Sequence, residues 1–252
     1  MSIRKAEMRA PCEQDLATII ISFLLVLFMI SPAFSQVTDS NSEFQPGATA
    51  AEREWAEGLK RKAELGNAEA QNDISKAYIN GYVFRRNARA AARWAHAAAN
   101  QGSVEAQVNL GTFYYAGKGV AVDYAQAQYW LQKAADQGNA KAEQNLGVLY
   151  TRGQGVKRNL EEAIRWFLKA AEQGDAPAAY NVGVSYSKGI GVAKDEVKGY
   201  MWHLLAARFG DLPSRKALKT LDKKLGPARV AEARSRADEW VRKHPNVKPI
   251  PL

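Results

Sequence analysis

Trp94, Trp130, Trp166 and Trp202 stand at successive intervals of 36 residues. A self-similarity of fixed period marks a repeat array, in which each unit is one supersecondary module that buries its apolar face only by stacking on its neighbours. The surrounding frame returns in the same phase. Paired alanines follow each Trp, at Ala98/Ala99, Ala134/Ala135, Ala170/Ala171 and Ala206/Ala207, and Gly comes next, at Gly102, Gly138, Gly174 and Gly210. Tyr keeps step at Tyr78, Tyr114, Tyr150 and Tyr186.

The interior of one unit reads as two helices. After Gly102, Ser103 precedes residues 104–116, where Ala106, Leu110, Phe113 and Tyr114 fall on one helical stripe. Ser103 and its equivalents Asn67, Asn139, Asp175 and Asp211 are suited to accept the orphan N–H groups of a first turn. Pro177 and Pro213 fall in that turn, where a missing donor costs little. The first helix is predicted to end at Gly117-Lys118-Gly119-Val120, repeated as Gly153-Gln154-Gly155-Val156 and Gly189-Ile190-Gly191-Val192. Asp123, Asn159 and Asp195 then cap a second helix that carries the Trp. Gly111, Gly147 and Gly183 interrupt the first helix, each at a cost of up to about 1 kcal/mol relative to Ala. The expected compensation is close approach of the paired helix beside its small alanines, with Trp and Tyr filling the space between units.

The ends of the array depart from the frame. In the first unit Ser75 stands at the helix glycine, and Val83-Phe84 replaces the Gly-Val of the turn. Ahead of it Thr49-x-x-Glu52 has the pattern of a capping box for a helix through Trp55 and Leu59, an N-terminal cap over 49–66. The four repeats are expected at 67–102, 103–138, 139–174 and 175–211. Beyond them Leu218 keeps an apolar site, but Lys219 and Asp222 stand where Gly and Tyr belong, as a terminal unit with a polar outer face requires. Gly226-Pro227 opens a last helix with Val230, Ala233, Ala237 and Trp240 on one side, so 212–244 reads as capping helices and 245–252 as an extended tail.

Residues 16–30 are apolar apart from Thr18 and Ser22, shorter than the roughly 20 residues that span a bilayer. With Pro32 and the small residues Ala33 and Ser35 after them, they read as a signal peptide over 1–35, cleaved before Gln36, followed by a polar linker over 36–48. Initiation at Met8 and an uncleaved membrane anchor are the alternatives. Cys12, the one cysteine, lies ahead of the apolar run, so the mature chain holds no thiol and its fold rests on a buried core. The formal charge is +9 and concentrates at the C-terminus: residues 212–243 carry ten bases against four acids, whereas the repeats are nearly balanced.

The pattern A-x-A-x-x-x-L-G-x-x-Y-x-x-G-x-G-V, present at 140–156 and, with Val104 for its opening Ala, at 104–120, resembles the Sel-one-like repeat, a relative of the tetratricopeptide repeat. Ala163, Trp166, Ala170-Ala171 and Gly174 continue the match. The resemblance implies an all-α fold, a right-handed α-solenoid of antiparallel helix pairs, working as an adaptor. Several bacterial members of that family are exported and regulate envelope signalling or exopolysaccharide synthesis. A cysteine-rich branch is associated with penicillin binding and weak β-lactamase activity, but it carries a cysteine pair in each repeat that this chain lacks.

Candidate chemistry is sparse. Ser185-x-x-Lys188 matches the S-x-x-K of penicillin-recognising enzymes without its S-D-N and K-T-G companions. His96, His203 and His244 have no ligand spacing, and the Gly-x-Gly turns lack the strand and third glycine of a phosphate loop, so no metal, cofactor or catalytic residue is assigned. Asp73, Asn109, Asn145 and Asn181 form a ladder on the first helices, placed either to hydrogen-bond a partner on a concave face or to bridge neighbouring units. Lys216, Lys219, Lys223 and Lys224 belong to the basic cap, which suits an acidic protein or an anionic membrane surface. Nucleic acid is disfavoured by export. The sequence thus describes an exported, periplasmic or envelope scaffold that binds protein partners, with a cell-wall or β-lactam hydrolase and a membrane-tethered adaptor as the competing readings.

Overall fold

A computed structural model describes residues 43–248; the expected signal segment with Cys12, linker residues 36–42 and tail residues 249–252 lie outside the described residues. The described residues form eleven α-helices. A single helix, α1 (Ala50–Glu64), precedes four helix pairs: α2 (Ala68–Asn80) with α3 (Ala88–Asn100), α4 (Val104–Ala116) with α5 (Tyr124–Ala135), α6 (Ala140–Arg152) with α7 (Leu160–Glu172), and α8 (Ala176–Lys188) with α9 (Glu196–Arg208). Two longer helices, α10 (Leu212–Leu225) and α11 (Pro227–Lys243), close the array. Each helix packs on its partner and on the next pair, the arrangement of an all-α solenoid.

The helix starts follow from side-chain capping. Thr49 and Glu52 form a reciprocal capping box on α1, and Asn67, Ser103, Asn139, Asp175 and Asp211 each accept a backbone N–H at the start of α2, α4, α6, α8 and α10. Asn87, Asp123, Asn159 and Asp195 do the same for the second helices. The first helices stop at Gly81, Gly117, Gly153 and Gly189, each left-handed.

The indoles pack backwards along the array. Trp130, on α5, sits 5.6 Å from His96 of the preceding pair and belongs to the core built by α1–α4, and Trp166 joins the core of the pair before it. Trp94 has only α1 behind it and is half-buried, whereas Trp130, Trp166 and Trp202 are at most 8% exposed. Tyr78 is buried, and Tyr114, Tyr150 and Tyr186 are half-buried between units.

The helix glycines have a different neighbour from the one their sequence context suggests. Not the paired alanines but the residue after each Trp fills the space: a Cβ on Gly111 would lie 2.7 Å from Leu131, on Gly147 2.5 Å from Phe167, and on Gly183 3.0 Å from His203. Each glycine is the hollow for one large side chain. In the first pair the two sizes are exchanged, since Ser75 occupies the glycine position, Ala95 follows Trp94, and the Ser75 hydroxyl donates to the Ala91 carbonyl at 2.8 Å. Burial holds the imidazole of His203 well below its ordinary value, at about 4, so the neutral ring is the packed form.

The second glycine of each turn is the joint between repeats. A Cβ on Gly119 would stand 2.0 Å from the Ala88 carbonyl oxygen, on Gly155 2.2 Å from that of Tyr124, and on Gly191 2.3 Å from that of Leu160, the first residues of the preceding second helices. Val83 keeps the same left-handed backbone, φ 58°, because no helix pair lies behind the first turn. What lies there is the segment expected to be a linker. Phe44 stacks on Phe84 at 5.5 Å, the Gln45 N–H donates to Val83 O at 2.6 Å, Arg85 N–H donates to Glu43 O at 2.9 Å, and the Tyr78 hydroxyl donates to the Glu43 carboxylate. Residues 43–48 are therefore docked structure, because the altered turn exposes backbone groups and a large ring that this segment covers.

A polar contact also recurs within each unit, from the end of its second helix back to the start of its first. The Gln101 amide donates to Gln71 at 2.7 Å, that of Gln137 to Gln107 at 2.8 Å, and that of Gln173 to Glu143 at 2.8 Å. Glu143 stands where the other rungs have Gln, and burial raises its carboxyl above the ordinary range although Lys169 and the Gln173 amide pull the other way. At the C-terminal end Val230, Ala233 and Ala237 are buried, and Trp240 packs against Trp202 at 5.7 Å and Phe209 at 5.9 Å.

Two expectations follow. Gly119→Ala is destabilising by about 1–3 kcal/mol more than Gly102→Ala, because both sites have positive φ but only Gly119 faces a backbone carbonyl where overpacking cannot relax; chemical denaturation of the two variants measures the difference. A carboxyl whose folded value is raised favours the protonated native state, so its contribution is present at low pH and is lost as pH rises through the folded value. Glu143→Gln therefore raises the melting temperature at pH 7 and converges with the parent protein near pH 4, which thermal melts across that range resolve.

Candidate functional site

A cavity of about 250 Å³ lies between the first helices α6 and α8 and the second helix α7. Its lining is mostly apolar, with Val148, Leu160, Ile164, Phe167, Val184 and Ile190, and Thr151, Arg152, Asn181 and Ser185 add polar groups. A smaller hollow one repeat earlier is lined by Thr112, Tyr115, Leu131, Asn145 and Val148. The two share Val148, so they are consecutive depressions of one groove. Arg152 donates to the Tyr115 hydroxyl and thereby spans the groove from one repeat to the previous one.

The Asp/Asn ladder divides along this groove. At its N-terminal end it bridges units: Asn109 Nδ2 donates to Asn72 Oδ1 at 3.1 Å, Asn72 Nδ2 donates to Glu105 at 2.9 Å, and Lys76 pairs with both Asp73 and Glu105 at 3.0 Å. This exchange holds Glu105 below the ordinary carboxylate range, with Lys76 as the larger cause. Further along, Asn145 and Asn181 line the two hollows instead. The groove is thus closed by internal polar contacts at one end and open at the other. Missing from the sequence reading were Val148, Val184, Tyr115 and Arg152. The first two stand three residues after a ladder Asn, on the same helix face, and that spacing was the available signal.

Ser185 is 8% exposed at the wall of the cavity, while Lys188 is exposed at the end of α8. Among the histidines, His203 packs between Gly183 and Tyr180, and His244 stacks on Trp240 at 3.9 Å. Among the described residues no group of three or more His, Cys, Asp or Glu side chains is placed to hold a metal, and no helix is long and apolar enough to cross a membrane.

The basic cap is only in part a free surface. Lys216, Lys219 and Lys223 are exposed on α10. Lys224 instead reaches Glu196 at 3.1 Å, where Lys194 and Arg229 also converge at 3.0 and 3.3 Å. Lys194 and Lys224 hold the Glu196 carboxyl down at about 2. Lys224 is a tie between the cap and the last repeat, a role invisible in a run of like charges.

The Sel1 repeat model matches the chain four times, at residues 68–103, 104–139, 140–175 and 176–211. Among solved structures, c5321, a protective antigen present in uropathogenic Escherichia coli strains and displaying an SLR fold, is similar at 38% identity and a TM-score of 0.66, over 75% of this chain and 40% of that one. A Sel1 repeat protein from Oxalobacter formigenes is similar at 34% identity and a TM-score of 0.58, over 66% of this chain and 48% of that one. The chain thus spans less than half the length of either protein. No curated protein matches it. With four matched repeats in phase with its four helix pairs, the chain belongs to the Sel1 repeat family, whose repeats are protein–protein interaction scaffolds.

Proposed function

We propose that this protein is an exported envelope scaffold that holds a segment of a partner polypeptide in the groove of α4, α6 and α8, by binding and not by bond chemistry. The observation that carries the reading is the open half of the groove. Asn145 and Asn181 stand 36 residues apart, each lining a hollow together with apolar side chains, which suits amide contacts to a partner's backbone with an apolar side chain seated between them. The stacked repeats fix both hollows before binding, so association loses little ordering entropy. Export rests on the apolar segment at 16–30 and the small-residue site before Gln36.

Photo-crosslinking residues introduced at Asn181 and Val184 in the full chain are expected to trap a polypeptide in cells, whereas one at Asp136, on an exposed helix end, traps none; equal trapping at all three removes the groove from the reading. Val184→Trp, which fills the larger hollow, is expected to lower that capture at least about tenfold, the value of some 1.4 kcal/mol. Fractionation with N-terminal sequencing tests export: a terminus at Gln36 supports it, and an intact apolar segment retained in membranes supports tethering instead. Purified protein is expected to leave a chromogenic cephalosporin intact, and hydrolysis abolished by Ser185→Ala would replace binding with catalysis.

A further inference from the structure

Charge in this array is sorted by edge. Every first helix runs from the inter-repeat links to the Gly-x-Gly turns and every second helix runs back, so turns and links lie at opposite ends of 13-residue helices, about 20 Å apart. The contacts of Gly119, Gly155 and Gly191 on the preceding repeats place the four turns side by side. The turn windows 80–89, 116–125, 152–161 and 188–197 contain nine bases and four acids. The link windows 62–71, 98–107, 134–143 and 170–179 contain two bases and seven acids. The four turns are therefore net +5 and the four links net −5, with Glu43 added at the first turn and Arg242 and Lys243 brought back to the link side by α11, where Val247 lies against Gly174.

The cap extends the basic edge. Lys224 and Arg229 meet Glu196 of the fourth turn, so the junction of α10 and α11, with Lys223, abuts that turn. Arg86, Lys118, Lys157 and Lys188, one in each turn, are exposed and form no ion pair among the described residues. With neighbouring helices about 8–10 Å apart, four turns form a row of some 30 Å. The same edge carries exposed apolar side chains. Tyr82 is 57% exposed and meets the half-exposed Trp55 edge-on at 5.8 Å, and Val122 of the second turn is 53% exposed.

We infer that this turn edge is a docking surface for an anionic lipid bilayer. A row of cations on a protruding edge, not in a groove, matches a planar anionic surface. Tyr, Trp and Val among those cations suit the boundary between headgroups and acyl chains, whereas an acidic protein would have no need of exposed apolar tips. The opposite, acidic edge faces away from the lipid, which leaves the groove of α4, α6 and α8 accessible from the side. The edge borders the larger hollow at Arg152, Leu160 and Ile190, but Lys118, Lys157, Tyr82 and Val122 lie outside the lining of both hollows, so docking at the edge and binding in the groove can fail separately.

The test uses residues 43–252, of which the described residues 43–248 form one compact unit with its own core. Sedimentation with vesicles of phosphatidylglycerol and phosphatidylcholine is compared with vesicles of phosphatidylcholine alone. The expected result is partition onto the anionic vesicles only, reversed by 0.5 M salt as screening demands, with the ~0.5 M figure set by a Debye length of a few ångströms. Lys118→Glu with Lys157→Glu is expected to cut the partition coefficient at least about tenfold, at roughly 1 kcal/mol for each cation near the surface. The charge-matched pair Lys62→Glu with Lys141→Glu, on the link edge, is expected to leave it within about twofold, because exposed charges some 20 Å from the lipid are screened. Tyr82→Ser with Val122→Ser is expected to weaken binding without changing its salt dependence, and thermal melts confirm that each variant is folded. Absence of partition, equal loss in both charge pairs, or tighter binding to soluble polyglutamate with indifference to Tyr82 and Val122 would overturn the bilayer in favour of bulk charge or an acidic protein.

Discussion

The contact on which this architecture depends is the seating of each turn on the backbone of the preceding helix pair. Gly119, Gly155 and Gly191 approach the carbonyls of Ala88, Tyr124 and Leu160 so closely that no side chain fits, which fixes the distance and rotation from one repeat to the next. Every other inter-repeat feature needs that register. The indole of Trp130 reaches the ring of His96 only because the second helices are held at that spacing, and the Asn109 amide meets Asn72 of the preceding repeat at 3.1 Å for the same reason. The same packing leaves the indole N–H of Trp130, Trp166 and Trp202 buried without a hydrogen-bond partner among the described residues. At about 1–3 kcal/mol for an unsatisfied buried donor, that repeated loss is offset by the area each ring buries, on the order of 150–250 Å².

Most of the fold was legible because period, caps and terminators are local properties. Asn67, Ser103, Asn139, Asp175 and Asp211 announce helix starts, and the Gly-x-Gly turns announce the stops, since both signals act within a few residues of chain. What was not legible involves partners chosen by three-dimensional proximity. The hollow at Gly147 for Phe167, and its inverted form at Ser75 beside Ala95, joins residues 20 apart whose pairing appears only when the helices are laid together. Likewise nothing in the composition of residues 43–48 states that they lie on Phe84. The altered turn at Val83-Phe84 reads in sequence as decay of the repeat and in structure as a receptor for the preceding segment.

The candidate groove was half visible. The in-phase Asn positions picked out the helices that line it, but no local feature separates Asn109, tied to Asn72, from Asn145 and Asn181, which line hollows. That separation comes from the junction of the first two repeats, where Glu105 and Lys76 draw the local amides into a network. The basic cap shows the converse error of reading charge as surface: Glu196 gathers Lys194, Lys224 and Arg229 into a fastening between α9, α10 and α11.

The polar rungs at Gln71, Gln107 and Glu143 end at Ala179, and the donor row at Gln101, Gln137 and Gln173 ends at Phe209, whose ring lies against Trp240. Each pair closes inside one repeat, holding the end of its second helix to the start of its first, so a repeat carries this fastening with it wherever it stands in the array. The fourth repeat has an apolar residue at both places and uses the second of them, Phe209, to meet Trp240 of α11. Where the other repeats use these two positions for their own closure, the last one turns them to holding its cap.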